Sequence, residues 1–206
     1  MIFPAAITCD ADLAAHCTGL AVLEPRFAYA VEKAGAPPVR LREVGFPALL
    51  KLIVEQQLSV AAADGIWARM DSVRDPAALL AQDDETLRAM GLSRPKARYA
   101  RALATAISSG ALDLEAVKAM RDEEAIKALT AITGIGRWTA ECYLMFSLGR
   151  PDLFPAADLA LQEGAKRLFD LPERPKAREL AERAATWSPH RGAAARILWA
   201  YLRATA

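Results

Sequence analysis

The sequence has few of the residues that mark a secreted or metal-bearing protein. It contains three cysteines and two histidines in 206 residues. Their number and irregular spacing exclude a disulfide framework. His16 and Cys17 are adjacent, but no second pair of ligands follows at a suitable spacing, so they do not predict a metal site. The low cysteine content predicts an intracellular protein, and we expect it in the cytoplasm.

Long apolar runs and a charge excess are absent as well. No stretch approaches the ~20 apolar residues of a membrane span, and the N-terminus M-I-F-P-A-A-I-T has no basic segment of the kind that begins a secretory signal. The 26 basic and 25 acidic residues give a net charge of +1. We therefore expect no membrane partner, and any surface that binds nucleic acid must be local.

The chain also lacks strand-like alternation, internal repeats and low-complexity tracts. Residues 39–44 are the segment where an extended conformation is expected. Elsewhere apolar residues recur at helical spacing, and glycines, prolines and N-cap residues such as Ser59 separate the helical segments. The segment 47–56 places its apolar side chains on one stripe: Leu49, Leu50, Ile53 and Val54. The pattern predicts an all-α fold with about ten short helices.

The turn T-G-I-G-R is the first candidate for function. Gly134 and Gly136 flank Ile135 between two helical patterns. Alternate glycines let successive N–H groups point into one concavity, and the N-terminus of the following helix adds further donors. Such an arrangement binds phosphate, and Arg137 can add positive charge. The same residues are also typical of a tight turn that joins two helices and has no ligand. Both interpretations stay open.

Asp158 is the second candidate. It precedes the periodic segment 159–169, so it is well placed as an N-cap. A catalytic role would need the carboxylate in a partly apolar site, and one residue can serve as both cap and catalyst.

Aromatic residues form the third candidate group. Trp138 and Cys142 lie one turn apart after the glycine turn, so they share a helical face. Trp199 lies on an apolar helix near the C-terminus. Trp67 and Trp187 have no such setting, and we expect both in the core.

Six segments in order carry a family resemblance, and they span residues 24–201. They are E-P-R-F (24–27), F-P-A-L-L-K-L-I-V-E-Q-Q-L-S (46–59), G-L-S-R-P-K-A (91–97), G-I-G-R-W-T-A (134–140), D-L-F-P-A-A-D (152–158) and W-S-P-H-R-G-A-A-A-R-I-L-W (187–199). Together they resemble the helix-hairpin-helix (HhH-GPD) DNA glycosylases, in particular the 3-methyladenine II branch that acts on alkylated bases. The resemblance implies one two-lobed all-α unit, 1–206, with its active site in a cleft. The central lobe would be about 45–136, and the second lobe 1–44 with 137–206.

The resemblance also implies roles for single residues. Asp158 would be the catalytic aspartate, and Gln57 would fill the gap that a flipped base leaves in the duplex. The residues expected to contact DNA are Gly134, Ile135, Gly136, Arg137, Gln57 and Ser59. The residues expected to line the base pocket are Trp138, Cys142 and Trp199. The main-chain carbonyls expected to hold Na⁺ or K⁺ at the hairpin are those of Thr130, Ile132 and Gly134.

Two departures from other relatives narrow the expected reaction. Relatives that also cut the strand carry a lysine at the position of Trp138, so this chain has no Schiff-base nucleophile there. The four-cysteine motif of an iron-sulfur cluster is missing too, and no cofactor is expected. We therefore expect a monomeric, monofunctional glycosylase that acts on alkylated purines in double-stranded DNA. A glycosylase for oxidised purines or uracil, and a hairpin module that binds DNA without catalysis, are the alternatives.

Overall fold

Helices make up the regular secondary structure of this protein. The computed structural model describes residues 6–205, which contain thirteen α-helices, two short 3₁₀ turns and no β-strand. The all-α prediction is confirmed, and the described residues contain more helices than the roughly ten expected. Residues 39–44 are irregular, with a positive φ of 49° at Arg40. Residues 1–5, where the lack of a secretory signal was noted, lie outside the described part.

The helices fall into two compact units, one of which is Arg42–Tyr143. It contains α3 (Phe46–Glu55), α4 (Val60–Arg69), α5 (Pro76–Leu80), α6 (Asp84–Ala89), α7 (Arg94–Ser108), α8 (Leu114–Ala119) and α9 (Asp122–Thr130). We call it the hairpin unit, after the glycine turn 133–136 that it contains. The predicted central lobe, 45–136, lies within it.

The second unit comprises the described residues up to Leu41 and from Leu144 onward. It contains α1 (Asp10–Leu23), α2 (Arg26–Ala34), α11 (Leu159–Leu168), α12 (Ala177–Ala184) and α13 (Arg191–Ala204). We call it the carboxylate unit. The remaining helix, α10 (Arg137–Phe146), begins in the hairpin unit and ends in the carboxylate unit. Among the described residues, no helix has the length and apolarity that a membrane crossing requires.

Helix α3 of the hairpin unit packs against α4 and α7. The predicted stripe is confirmed, because its four apolar side chains are completely buried: Leu49, Leu50, Ile53 and Val54. Burial of each such side chain stabilises the fold by about 1.5–3 kcal/mol. Trp67, which was expected in the core, is only partly buried. The Arg74 guanidinium lies 4.5 Å from the centroid of its ring, where a cation stabilises a half-exposed indole.

Aromatic packing forms the core of the carboxylate unit. Trp187 is 1% exposed, as predicted, and its ring lies within 6 Å of three phenylalanine rings, those of Phe27, Phe154 and Phe169. Helix α13 packs against α1, α2 and α11 around this cluster. A β-carbon at Gly164 would lie 2.9 Å from the carbonyl oxygen of Leu198, so α11 and α13 approach closely only because this residue is glycine.

Candidate active site

The two glycines of the turn between α9 and α10 have different structural roles. Gly134 has a φ of 94°, and a β-carbon on it would overlap the ring of Tyr99 from α7. Both its backbone conformation and its packing therefore require glycine. A β-carbon on Gly136 would have no atom within 4 Å. Gly136 thus leaves open space beside the N-terminus of α10, where an external group can approach the backbone.

Gln56 holds the hairpin turn against the end of α3. Its side-chain Nε2 donates to the carbonyl oxygen of Gly134 at 3.0 Å and to Oγ1 of Thr139 at 3.4 Å. Gln56 and Tyr99 line a cavity of about 520 Å³ together with the turn residues 130–136. Neither residue was among the sequence candidates, because their contacts with the turn join positions far apart in the chain.

The charge of Arg137 is balanced inside the hairpin. Its guanidinium donates two hydrogen bonds to Glu123, at 2.6 and 3.1 Å, and a third to Glu141 at 2.9 Å. The hydrogen bonds to Glu123 raise the pKa of Arg137 above its ordinary value, and the charge of Glu141 adds to the effect. A phosphate near Arg137 must compete with these two carboxylates, so the turn itself offers mainly backbone groups.

The loop between α3 and α4 presents Gln57 to solvent. Gln57 is exposed and has a φ of 56°, a strained value for a residue with a β-carbon. Ser59 is the N-cap of α4, as predicted, and its Oγ accepts a hydrogen bond from the Ala62 N–H at 3.3 Å. Leu58 and Val60 are 40% and 78% exposed. Strain and exposed apolar side chains in one short loop are typical of a segment shaped by a ligand.

Two of the predicted pocket residues lie on α10. Trp138, in the first turn of the helix, is half-buried. Cys142, one turn later, is 3% exposed. Together with the glycine turn, Gln57 and Ser59, they belong to the hairpin unit, whereas Asp158 and Trp199 belong to the carboxylate unit.

Asp158 is the N-cap of α11, and its carboxylate is firmly oriented. Its Oδ1 accepts hydrogen bonds from the N–H groups of Ala160 and Leu161 at 2.9 and 3.0 Å. The indole Nε1 of Trp199 donates to the same oxygen at 3.2 Å. Three donors on one oxygen fix the plane of the carboxylate, so the cap and the candidate catalytic group are the same residue.

A buried arginine packs on the aromatic pair that includes Trp199. The ring of Trp199 is 5.7 Å from that of Phe146, and the Arg196 guanidinium is 4.9 Å from the centroid of Phe146. Arg196 is 3% exposed and donates to main-chain carbonyls, including that of Met145 at 3.0 Å. Arg196 and Phe146 back the indole that donates to Asp158. The sequence indicated Trp199 but gave no reason to choose either of them.

A second carboxylate, Asp152, holds the loop that leads to Asp158 in place through hydrogen bonds. Arg191 donates to both oxygens of Asp152 at 2.8 and 3.0 Å, and the Ser188 hydroxyl donates at 2.7 Å. Burial alone would raise the pKa of Asp152, but the hydrogen bonds from Arg191 and Ser188 outweigh it and lower the pKa. At the other end of the loop, the buried Gln162 side chain donates to the Ala156 carbonyl at 2.9 Å. The loop before the candidate catalytic group is therefore rigid.

Within the described residues, no group of three or more histidine, cysteine, aspartate or glutamate side chains could hold a metal ion. The main-chain carbonyls that the sequence predicted as ligands of a monovalent cation belong to the hairpin turn and to the end of α9. The Ile132 carbonyl accepts the Ile135 N–H at 3.0 Å, and the Gly134 carbonyl accepts Gln56. Each carbonyl keeps a second lone pair for a cation.

A family model decides where this chain belongs. Residues 50–190 match the model of the HhH-GPD superfamily base excision DNA repair proteins. This range includes the hairpin turn, the loop 147–158 and Asp158. The chain belongs to this superfamily. Members of this HhH-GPD family need no cofactor in general.

Individual relatives agree with this assignment. The chain is 36% identical to DNA-3-methyladenine glycosylase 1 of Schizosaccharomyces pombe, over 73% of this chain and 69% of that protein. It is 34% identical to the YfjP protein of Bacillus subtilis over 82% of its own length, but it spans only 62% of that relative. The solved structure of S. pombe 3-methyladenine DNA glycosylase (Mag1) in complex with abasic DNA superposes with a TM-score of 0.81 at 33% identity, covering 89% of this chain and 94% of that one.

Proposed function

We propose that this HhH-GPD protein is a monofunctional DNA glycosylase that hydrolyses the N-glycosidic bond of alkylated purines, such as 3-methyladenine and 7-methylguanine, in double-stranded DNA. The observation that carries the proposal is Asp158, whose Oδ1 accepts three N–H groups, one of them from an indole. The relatives named as 3-methyladenine glycosylases support the choice of substrate. We place the protein in the cytoplasm with the genomic DNA, as a monomer.

Base release requires that the damaged nucleotide leave the duplex. Flipping costs a few kcal/mol, and less for a weakly paired base. The hairpin backbone at Gly134, Ile135 and Gly136 binds a phosphate of the damaged strand and fixes the register. Gln57 enters the space that the base leaves, a role that suits its exposed side chain and its φ of 56°. The Ser59 hydroxyl caps α4 beside it and keeps the loop in place.

Recognition of the lesion rests on its charge in this proposal. Alkylation at N3 or N7 gives a purine a positive charge, and an indole face attracts a cation by ~0.5–2 kcal/mol. Trp138 and Trp199 supply two such faces. Cys142 lies one helical turn beyond Trp138, and we propose that its small, buried side chain leaves room for the base.

The chemical step breaks the bond between the base and C1′ of the sugar. The bonding electrons leave with the base, which departs readily because it is already charged, so no strong general acid is needed. The sugar acquires oxocarbenium character, and the negative Asp158 stabilises it. Water adds to C1′ and releases a proton to the solvent, which leaves a neutral free base and an abasic site. Trp199 acts twice, since its ring faces the base while its N–H orients the carboxylate.

Strand cleavage is not part of the proposed reaction. An attack on C1′ by a lysine amine would form a Schiff base and lead to cleavage, but Trp138 stands at the corresponding position. The abasic product is therefore left intact for another enzyme. Sodium borohydride, which reduces Schiff bases, is expected to trap no covalent complex with DNA.

We propose that the hairpin carbonyls hold a monovalent cation. Thr130, Ile132 and Gly134 line one cavity and offer neutral oxygens, which suit Na⁺ or K⁺. A bound cation would add positive charge for the phosphate. Replacing K⁺ by tetramethylammonium at constant ionic strength should weaken DNA binding if these carbonyls hold the ion. Equal affinity for DNA in both salts would mean that no bound cation contributes to DNA binding.

The proposed function is tested by chromatography of the bases released from three kinds of DNA. Methylated DNA should yield 3-methyladenine and 7-methylguanine, whereas duplexes with uracil or 8-oxoguanine should yield nothing above the rate without enzyme. Release of uracil or 8-oxoguanine in place of methylated purines would transfer the same mechanism to another lesion. Binding without any release would reduce the protein to a DNA-binding module.

A further inference from the structure

Four of the seven residues that line a cavity on the surface of the hairpin unit are arginines. The cavity has a volume of about 670 Å³ and lies between α6 and α7. Four arginines and one acid line it, with Pro95 and Ala97 as the apolar floor: Arg88, Arg94, Arg98, Arg101 and Asp84. The whole chain carries a net charge of only +1, so this concentration of positive charge is local.

Most of this charge is not balanced by neighbouring acids. Arg101 bonds to Asp84 at 3.0 Å and to the Gln82 carbonyl at 2.6 Å. Across residues 6–205, no carboxylate lies within 4 Å of the guanidinium groups of Arg88, Arg94 and Arg98, and all three residues are exposed. Clustered arginines repel one another unless an anion lies between them. The hairpin differs, because Arg137 is held there by two glutamates.

Helix α7 connects the basic cavity to the hairpin. Arg98 lines the cavity, whereas the next residue, Tyr99, lines the cavity of the hairpin turn and packs under Gly134. The Arg98 guanidinium lies 5.4 Å from the centroid of the Tyr99 ring. Lys96 on the same helix donates to the Val54 carbonyl at 2.7 Å, near the loop that carries Gln57. Helix α7 thus carries residues of the basic cavity and also contacts the hairpin turn and the end of α3, which precedes the loop with Gln57.

The spacing suits a polyanion with regularly repeated charges. Arg94 precedes Tyr99 by about five residues, or ~7.5 Å along a helix axis. Phosphates on one strand recur every ~3.4 Å along the duplex axis, so a strand held at the hairpin has its next phosphates within reach. Arginine forks match phosphate oxygens in pairs, which favours phosphodiesters over the scattered carboxylates of a protein surface.

We infer that the basic cavity between α6 and α7 is a second DNA contact, which binds backbone phosphates that flank the stretch held by the hairpin. The inference rests on the proposed function, because it takes the hairpin as the first contact. It places the main electrostatic attraction for DNA on α7 rather than on Arg137. The cavity contributes affinity for any sequence and has no part in the chemical step.

The test compares two double variants that each remove two positive charges. The first variant, Arg94→Gln with Arg98→Gln, removes two arginines of the cavity that form no ion pair with a carboxylate. In the control, Arg174→Gln with Arg178→Gln removes two exposed arginines of the carboxylate unit. Fluorescence anisotropy of a labelled, undamaged duplex of about 20 base pairs gives the affinity as a function of NaCl concentration. Base release is measured on methylated DNA with enzyme in saturating excess.

The cavity variant should bind roughly tenfold more weakly and lose about two from the slope of log affinity against log salt. The control should keep both values, and both variants should release bases at the wild-type rate once DNA is saturated. Wild-type affinity and slope in the cavity variant, or an equal loss in the control, would overturn the inference; an acidic protein would then be the occupant to test. If even the wild-type protein released no base, the proposed function would fail while the binding comparison still decided the inference.

Discussion

The hairpin turn and the loop that carries Asp158 are stabilised in opposite ways. The turn depends on backbone conformation, on the contact between Gly134 and Tyr99 and on the neutral Gln56 side chain. The loop depends on buried or half-buried charge, with Asp152 paired to Arg191. The first region leaves backbone groups accessible to a ligand, and the second fixes one carboxylate. Under the proposed function, DNA affinity and base release should therefore respond to different substitutions.

The two glycines of the turn give the largest expected effect on stability. Gly134→Ala should lower the free energy of unfolding by roughly 2–4 kcal/mol, because alanine opposes the positive φ and its β-carbon overlaps Tyr99. Gly136→Ala is the matched control and should change stability by less than about 0.5 kcal/mol. Urea unfolding followed by circular dichroism measures both. Equal stability of the two variants would contradict the separate roles of these glycines.

The indole hydrogen bond tests the carboxylate region. Trp199→Phe keeps an aromatic ring but removes the N–H that donates to Asp158 at 3.2 Å. Loss of a hydrogen bond to a charged acceptor corresponds to about 1.5 kcal/mol, so single-turnover base release should slow roughly tenfold. Affinity for undamaged DNA should stay at the wild-type value. A variant that lost affinity for DNA and kept the rate of base release would show that Trp199 serves binding and not the chemical step.

The pH dependence of stability gives the smallest expected effect. The folded protein lowers the pKa of Asp152, so this carboxylate stabilises the fold above its unfolded pKa of about 4 and loses that contribution as the pH falls through the lower folded value. Asp152→Asn should therefore destabilise the protein by roughly 1 kcal/mol at neutral pH and by less at pH ~3. Unfolding free energies of both proteins at the two pH values measure the difference. A gap that stayed constant or widened in acid would contradict the assigned sign.

Local features of the fold were predictable from the sequence. Helical periodicity identified the buried face of α3, and residue type identified Ser59 and Asp158 as N-caps. These features depend on neighbours within one or two helical turns, which a sequence displays directly. The described residues contain thirteen α-helices, against the roughly ten that the sequence pattern predicted.

Features that join distant positions were not predictable. The Asp152 and Arg191 pair spans 39 positions, and Gln56 reaches Gly134 across 78. Both pairs lie in segments that carry the family resemblance, but the sequence does not show which side chains are in contact. Arg137 shows the same limit, because its position beside the glycines suggested a free charge, whereas the fold places Glu123 and Glu141 against it.

The separation of binding from chemistry is tested most directly by Asp158→Asn and Gly136→Asp, each assayed for duplex affinity and for single-turnover base release from methylated DNA. Asparagine is nearly as good an N-cap as aspartate. Asp113→Asn, at a cap whose Oδ1 also accepts two backbone N–H groups, controls for the loss of charge. We expect Asp158→Asn to bind DNA like the wild type and to lose base release by a factor of ~10³ or more. Gly136→Asp should weaken binding to damaged and undamaged DNA alike and keep the rate at saturation. Undiminished release by Asp158→Asn, or loss of both properties in both variants, would contradict the account.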